Sequence, residues 1–88
     1  DEELFDEVAA VFRGDAPKML DEIRRAVAAG DAASLRRAAH GLKGAAGYVG
    51  GKCATDAAAE LENMGAGGDL SAAAPALDLL NREIDRLT

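Results

Sequence analysis

Apolar residues recur along this chain at alternating spacings of three and four residues, and no segment shows the two-residue alternation of a β-strand. One such stripe is formed by Leu35, Ala39, Leu42, Ala46 and Val49. A second stripe lies near the C-terminus and comprises Ala73, Leu77, Leu80, Ile84 and Leu87. Because this spacing places the apolar side chains on one face of a helix, the pattern predicts an all-α fold in which each helix buries a single stripe.

Glycines and capping residues predict where the first helices begin and end. A short helix covers residues 4–12 and ends near Gly14, a residue type that commonly follows a helix C-terminus. Asp15 is then expected to cap a second helix, which carries Pro17 in its first turn and ends at Gly30.

The remaining boundaries define three further helices. Asp31 is predicted to cap the third helix, which breaks or bends at residues 50–51. A fourth helix ends in the flexible loop of residues 65–68, and Asp69 or Ser71 opens the last one. Since short connections favour antiparallel neighbours, the predicted architecture is an up-and-down antiparallel four-helix bundle with an additional short N-terminal helix.

The length and composition of the chain limit what else it can contain. Eighty-eight residues suffice for one domain with a modest core, so we expect residues 1–88 to form a single domain without a separate nucleotide-binding unit. The lone cysteine, Cys53, excludes an intrachain disulfide and favours a reducing compartment. With no signal peptide and no long apolar run, we expect a cytoplasmic domain without direct membrane contact. The start at Asp1 suggests a domain excised from a longer protein, and that parent protein could be membrane-anchored.

Charge is distributed unevenly along the sequence. The formal net charge of −6 argues against nucleic acid as a partner, because such binding depends on neutralising phosphates. From residue 32 to residue 55 there is no aspartate or glutamate, while Arg36, Arg37, Lys43 and Lys52 give this segment a charge of +4. The rest of the chain therefore carries −10. A chance fluctuation in a short segment is one explanation, and the accommodation of a multiply charged anion is the other.

The only histidine of the chain, His40, lies inside this cationic segment. At about 100° per residue it points roughly 140° away from the centre of the buried stripe, so its imidazole is predicted to face solvent. Arg36, Lys43, Gly44 and Gly47 share its face. A glycine within a helix costs about 0.8–1 kcal/mol relative to alanine, so two glycines on this face suggest that a partner must come close.

Three kinds of histidine chemistry are disfavoured by the neighbouring sequence. A metal site needs several converging ligands, and the chain has no second histidine and no cysteine cluster. A nucleophilic dyad has no partner, since Ser34 lies almost two turns away and Cys53 is expected on another helix. General acid–base catalysis would require a concave pocket, which a convex helix face does not offer. Direct attack of the imidazole on a phosphoryl group remains, because that reaction needs little beyond positioning and charge stabilisation.

Residues 39–50, with the sequence AHGLKGAAGYVG, resemble the motif of histidine-containing phosphotransfer domains. The pair Leu61 and Glu62 is similar to a Leu-Glu pair on the following helix of that family, and Gly68-Asp69 is similar to the acidic turn before its last helix. The resemblance spans essentially the whole chain. It implies that His40 accepts the phosphoryl group, that Lys43 contacts it, and that Gly44 keeps the surface open to a receiver domain.

Roles can also be assigned to other residues near the motif. Arg36, one turn before His40, is expected to support the phosphoryl group by its charge. Gly47 is expected either to give a partner access or to allow the helix to bend. Arg37 and Lys52 are expected to be solvated surface residues. Glu62 is expected to be a surface or inter-helix hydrogen-bonding residue, whereas we expect packing roles for two further residues, Tyr48 and Cys53.

The resemblance implies a phosphorelay intermediate that takes a phosphoryl group from a receiver-domain aspartyl phosphate and passes it to another receiver domain. Such a domain is a phosphocarrier without its own ATP site or cofactor, and magnesium is expected on the partner receiver. One alternative is the phosphoacceptor domain of a chemotaxis-type histidine kinase, whose partner would be a kinase catalytic domain. Another is a helical docking module that is never phosphorylated.

Overall fold

The computed structural model of the chain describes residues 2–49 and 51–87, and describes side chains for residues 10–49 and 51–86. Within these ranges the chain forms four helices and no strand. The helices are α1 (Glu2–Ala29), α2 (Ala32–Tyr48), α3 (Lys52–Gly67) and α4 (Ala73–Leu87).

Helix α1 is a single continuous helix of 28 residues, so the predicted division into a short N-terminal helix and a second helix at Gly14 is wrong. Gly14 lacks the positive φ of a residue that ends a helix, and Pro17 lies inside the helix. Phe12 and Ala16 are both buried on the same stripe. Burial on the two sides of Gly14 therefore keeps the helix intact where the local sequence predicted a stop.

The turn between α1 and α2 is closed by local hydrogen bonds, as the sequence predicted. Gly30 has a φ of +66°, and its N–H donates to the carbonyl of Val27 while the N–H of Asp31 donates to the carbonyl of Ala26. Asp31 then caps α2, since its Oδ1 accepts from the Ser34 N–H at 3.1 Å. This tight turn sets the position at which the histidine helix begins.

Most residues of the two predicted stripes lie in the core of the bundle, whereas Val49 and Leu77 are only partly buried. The side chain of Leu87 lies outside the residues whose side chains the structure describes. Helix α2 packs against α1 and α3, and α4 packs against α3 and α1. The buried residues of α2 are Leu35, Ala39, Leu42 and Ala46. Those of α3 are Ala54, Ala57, Ala58, Leu61 and Gly65. Most of the buried side chains on α3 are small, which allows that helix to approach its neighbours closely.

The end of α3 differs from the prediction of a flexible loop over residues 65–68. The helix continues to Gly67 and ends at Gly68, whose φ is +75°. Helix α4 begins at Ala73, so the prediction that Asp69 or Ser71 opens this helix is wrong. Oδ1 of Asp69 instead accepts a hydrogen bond from the Ser71 N–H in the turn before the helix, and Pro75 lies in the first turn of α4. Among the residues that the structure describes, no helix is long and apolar enough to cross a membrane.

Candidate functional site

His40 projects from the outer face of α2, and 68% of its side chain is exposed. Its neighbours on the opposite face, Ala39 and Leu42, are fully buried. The predicted exposure of the imidazole is therefore confirmed. Since the buried residues anchor α2 to the core, the histidine is carried on a fixed helical backbone.

Glu62 of α3 joins His40 to Lys43. Its Oε2 lies 2.7 Å from Nδ1 of His40, and its Oε1 lies 2.6 Å from Nζ of Lys43. The Glu62 side chain is only 18% exposed, and it follows the fully buried Leu61 in the sequence. The expectation that Glu62 makes a hydrogen bond between helices is confirmed.

These two contacts set the charge state of Glu62. The hydrogen bond from Lys43, followed by that from His40, holds the pKa of the Glu62 carboxyl below its ordinary value of 4.5, against a smaller opposing effect of desolvation. Glu62 is therefore a carboxylate at neutral pH. A carboxylate accepts hydrogen bonds and donates none, so Nδ1 of His40 carries the proton that is shared with Glu62. In the neutral imidazole this leaves the lone pair on Nε2.

Two arginines lie beside the imidazole. A surface cavity of about 340 Å³ is lined by Arg36, Arg37, His40 and Glu62. Both arginines are exposed, and Arg37 also donates a hydrogen bond to Oγ of Ser34 at 3.3 Å. Arg37 was expected to be a solvated surface residue, yet it borders the same cavity as the histidine. Its position three residues before His40 is the signal that could have revealed this, because residues three and four apart are neighbours on a helix.

The glycines of α2 leave the surface near His40 bare. A Cβ added to Gly41 or Gly44 would have no atom within 4 Å, apart from those of the helix itself. A Cβ added to Gly47 would meet only Oγ1 of Thr55, at 4.0 Å. These glycines are not needed for packing within the chain, so the open surface they create is available to a partner.

Gly65 has a packing role that its position in the sequence did not reveal. An added Cβ would lie 2.7 Å from the carbonyl oxygen of Ala32, 2.7 Å from the backbone nitrogen of Arg36 and 2.9 Å from its Cα. The backbones of α2 and α3 therefore touch at this glycine. Gly65 lies three residues after Glu62, so the same close approach brings the carboxylate within reach of His40.

Tyr48 and Cys53 do not have the packing roles that were expected. The Tyr48 side chain is 77% exposed at the end of α2, and Cys53 is exposed near the start of α3. Lys52 is exposed, as expected. The buried residue of this part of α3 is Ala54.

The arrangement provides one nucleophile, with an oriented lone pair and three cationic side chains around it. Across residues 2–49 and 51–87, no group of three or more His, Cys, Asp or Glu residues is placed to hold a metal ion. The exposed Nε2 lone pair and the cationic side chains near it suit the site to accepting a small anionic group.

The family model described as Hpt domain matches residues 7–88 of the chain. A comparison with curated proteins returns no match, and neither does a comparison with solved structures.

Proposed function

Because the chain belongs to the Hpt domain family, whose members carry phosphoryl groups on histidine in phosphorelay signalling, we propose that His40 is the phosphoacceptor. It takes a phosphoryl group from the aspartyl phosphate of one receiver domain and delivers it to the aspartate of another. The observation that supports this most strongly is the 2.7 Å contact between Nδ1 and Glu62, because it directs the lone pair of Nε2 toward solvent.

The transfer consists of one bond formed and one broken. The Nε2 lone pair attacks the phosphorus, the bond from phosphorus to the aspartate oxygen breaks, and the electron pair leaves with the aspartate as a carboxylate. The ring then bears a positive charge, which the neighbouring Glu62 carboxylate stabilises. The reverse reaction on a second receiver restores the neutral imidazole. Magnesium belongs to the receiver in this scheme, and the chain itself uses no cofactor.

Lys43 and Arg36 support the phosphoryl group by their charge. Lys43 lies on the same face of α2 as His40, where Glu62 holds its ammonium group at 2.6 Å. Arg36 borders the cavity next to the imidazole. These two cations on the His40 side of α2 reduce the repulsion between an incoming phosphoryl group and an acidic chain of net charge −6.

Gly44 and Gly47 serve partner access. A receiver must bring its aspartate to within bonding distance of Nε2, which requires its surface to approach the α2 backbone on the side that these glycines leave open.

The four helices are proposed to run alternately up and down, consistent with the pairs that pack together and the short turn at Gly30. We also propose that the domain works in the cytoplasm.

Phosphotransfer from a labelled receiver tests this function. We expect a phosphorylated receiver domain with magnesium to label the chain at one site that is acid-labile and alkali-stable, as phosphohistidine is. His40→Gln should abolish the label and change the free energy of unfolding by less than about 0.5 kcal/mol, because the side chain is exposed. Label retained in His40→Gln would contradict the assignment.

A second experiment separates a phosphocarrier from a kinase, and a third separates the relay role from that of a kinase substrate domain. With ATP and magnesium alone the chain should acquire no label, because it lacks a glycine-rich phosphate loop followed by Lys-Ser or Lys-Thr. Labelling by a histidine kinase catalytic domain but by no phosphorylated receiver would favour the kinase substrate role.

A further inference from the structure

Three large apolar side chains are exposed among those that the structure describes. Their exposed fractions are 63% for Val11, 77% for Tyr48 and 38% for Leu79. Tyr48 is the most exposed of the three and the last residue of the histidine helix. A tyrosine ring in this position contributes nothing to the core, although it offers a large rigid surface that a partner can cover.

Helix periodicity places Val11 and Tyr48 along one groove between α1 and α2. Near the turn between these helices, one cavity is lined by Glu22 of α1 and Arg37 of α2. Val11 precedes Glu22 by eleven residues and Tyr48 follows Arg37 by eleven, and eleven residues return a helix to nearly the same face after three turns. Because the short turn makes the two helices antiparallel, both steps run in the same direction along the groove. The two apolar side chains therefore lie on its opposite sides, at the end away from the turn.

This end of the groove lies within reach of a partner centred on His40. Tyr48 is eight residues further along α2, which corresponds to about 12 Å along the helix axis. The surface between the two residues is bare at Gly41, Gly44 and Gly47. A standard protein interface buries about 800 Å² on each partner, equivalent to a circle of roughly 16 Å radius. Tyr48 falls inside such a circle.

The surface on the other side of His40 has a different chemistry. Arg36 and Arg37 lie one turn before the histidine and border its cavity. An approaching protein therefore meets cationic side chains toward the start of α2 and an aromatic ring toward its end. Two unlike regions on either side of the reacting atom can fix the orientation of a partner, which a uniform surface cannot do.

We infer that Tyr48, together with Val11, is the apolar anchor on which the receiver domain docks when its aspartate reaches His40. This inference rests on the proposed function. The matching receiver presents an apolar patch to one side of its aspartate and acidic side chains to the other, opposite Arg36 and Arg37. Receivers that lack the apolar patch bind more weakly, so Tyr48 helps to determine which receivers the domain serves.

Substitution of Tyr48 tests the anchor. In Tyr48→Ala we expect kcat/KM for transfer from a phosphorylated receiver to fall about tenfold or more, with kcat at saturating receiver unchanged, because tyrosine is among the residues that most often supply a large share of the binding energy at an interface. Tyr48→Phe keeps the ring, and its kcat/KM should stay within about threefold of that of the unsubstituted chain. Leu79→Ala is the matched control, since it removes an exposed apolar side chain from α4, and it should leave transfer unchanged.

Two further measurements separate docking from chemistry and from folding. Phosphorylation of His40 by phosphoramidate, a small donor that needs no docking surface, should proceed at the same rate in Tyr48→Ala as in the parent. The melting temperature should also be unchanged because the ring is largely exposed. Transfer kinetics and receiver affinity that are the same in Tyr48→Ala and the parent would overturn the anchor while leaving the phosphoacceptor role intact.

Two other outcomes would also overturn the role of Tyr48 as an anchor. If the parent accepts phosphate from phosphoramidate but neither binds nor reacts with any receiver, the proposed relay function fails and the anchor fails with it. Another outcome is that the unsubstituted chain forms dimers in sedimentation experiments, that Tyr48→Ala abolishes these dimers, and that receiver transfer is unaffected. In that case Tyr48 and Val11 form a surface for a second copy of the chain, which also overturns the inference.

Discussion

Alanine substitution at Gly65 and at Gly44 should change the stability of the domain in opposite directions. Both glycines lie within helices, so alanine improves helix propensity at each of them, by up to about 1 kcal/mol. At Gly44 the added methyl group has open space, and the whole gain should appear as stability. At Gly65 the methyl group would lie 2.7 Å from two backbone atoms of α2 and 2.9 Å from a third.

The loss of stability expected for Gly65→Ala depends on how far the backbones of α2 and α3 must separate. Backbone atoms cannot rotate aside as a flexible side chain can, so the two helices have to separate locally. Overpacking of this kind costs about 1–3 kcal/mol, which exceeds the gain in propensity. We expect Gly65→Ala to lower the free energy of unfolding by about 1–2 kcal/mol. In a domain of this size that corresponds to a melting temperature roughly 5–15 °C lower.

Thermal and urea unfolding followed by circular dichroism measure both variants against the parent. Gly44→Ala is the matched control, since it makes the same chemical change in a helix at an open position. Equal stabilisation by the two substitutions would refute the close contact between α2 and α3 at Gly65. It would also undermine the explanation of how Glu62 comes within reach of His40.

Three further predictions concern the site itself. Gly44→Leu should raise the melting temperature while slowing transfer from a receiver at least tenfold, and an unchanged transfer rate would show that the receiver approaches elsewhere. Glu62→Gln should be less stable than the unsubstituted chain near pH 6, but the difference should shrink as the pH falls below 4.5 through the lowered pKa of Glu62; a difference in urea unfolding that is as large at pH 3 as at pH 6 would contradict this. Lys43→Ala should slow transfer about tenfold or more and lower the melting temperature slightly, because it breaks the ion pair with Glu62; transfer kinetics equal to those of the unsubstituted chain would show that Lys43 does not support the phosphoryl group.

The contribution of Glu62 to the free energy of unfolding should increase as the pH rises. Its carboxyl pKa is lower in the folded chain than its ordinary value, so folding favours the ionised form. The stabilisation is present above about pH 4.5 and is lost as the pH falls through the folded pKa. Glutamine cannot ionise, so the substituted chain lacks this part of the acid sensitivity.

The sequence was sufficient to predict the orientation of α2. The stripe containing Leu35 and Leu42 is buried, His40 is exposed opposite it, and Asp31 caps the helix, all as expected. These features depend on helical periodicity and on interactions between residues close in the chain. Such interactions are set by the local sequence alone.

The errors occurred where tertiary packing outweighs local preference. Gly14 and Pro17 predicted a helix boundary, yet burial of Phe12 and Ala16 on one stripe keeps α1 continuous. The close approach at Gly65 depends on where α2 and α3 cross, and spacing within a single helix contains no information about that. The expected loop at this glycine is instead the end of a helix.

The site was predictable in its centre and less so in its surroundings. His40, Lys43 and Arg36 are close in the sequence and lie together in the structure. Glu62 is 22 residues away from His40, and its contact with Nδ1 requires a particular alignment of two helices. The exposure of Tyr48 likewise depends on where the bundle leaves the end of α2 uncovered.

The most direct test of the proposed mechanism is to determine which nitrogen of His40 carries the phosphoryl group. Nitrogen-15 and phosphorus-31 NMR of the chain after transfer from a phosphorylated receiver distinguish the two positions. Because Glu62 holds Nδ1, we expect the phosphoryl group on Nε2. A phosphoryl group on Nδ1, or on a residue other than His40, would contradict the proposed role of Glu62 or of His40 itself.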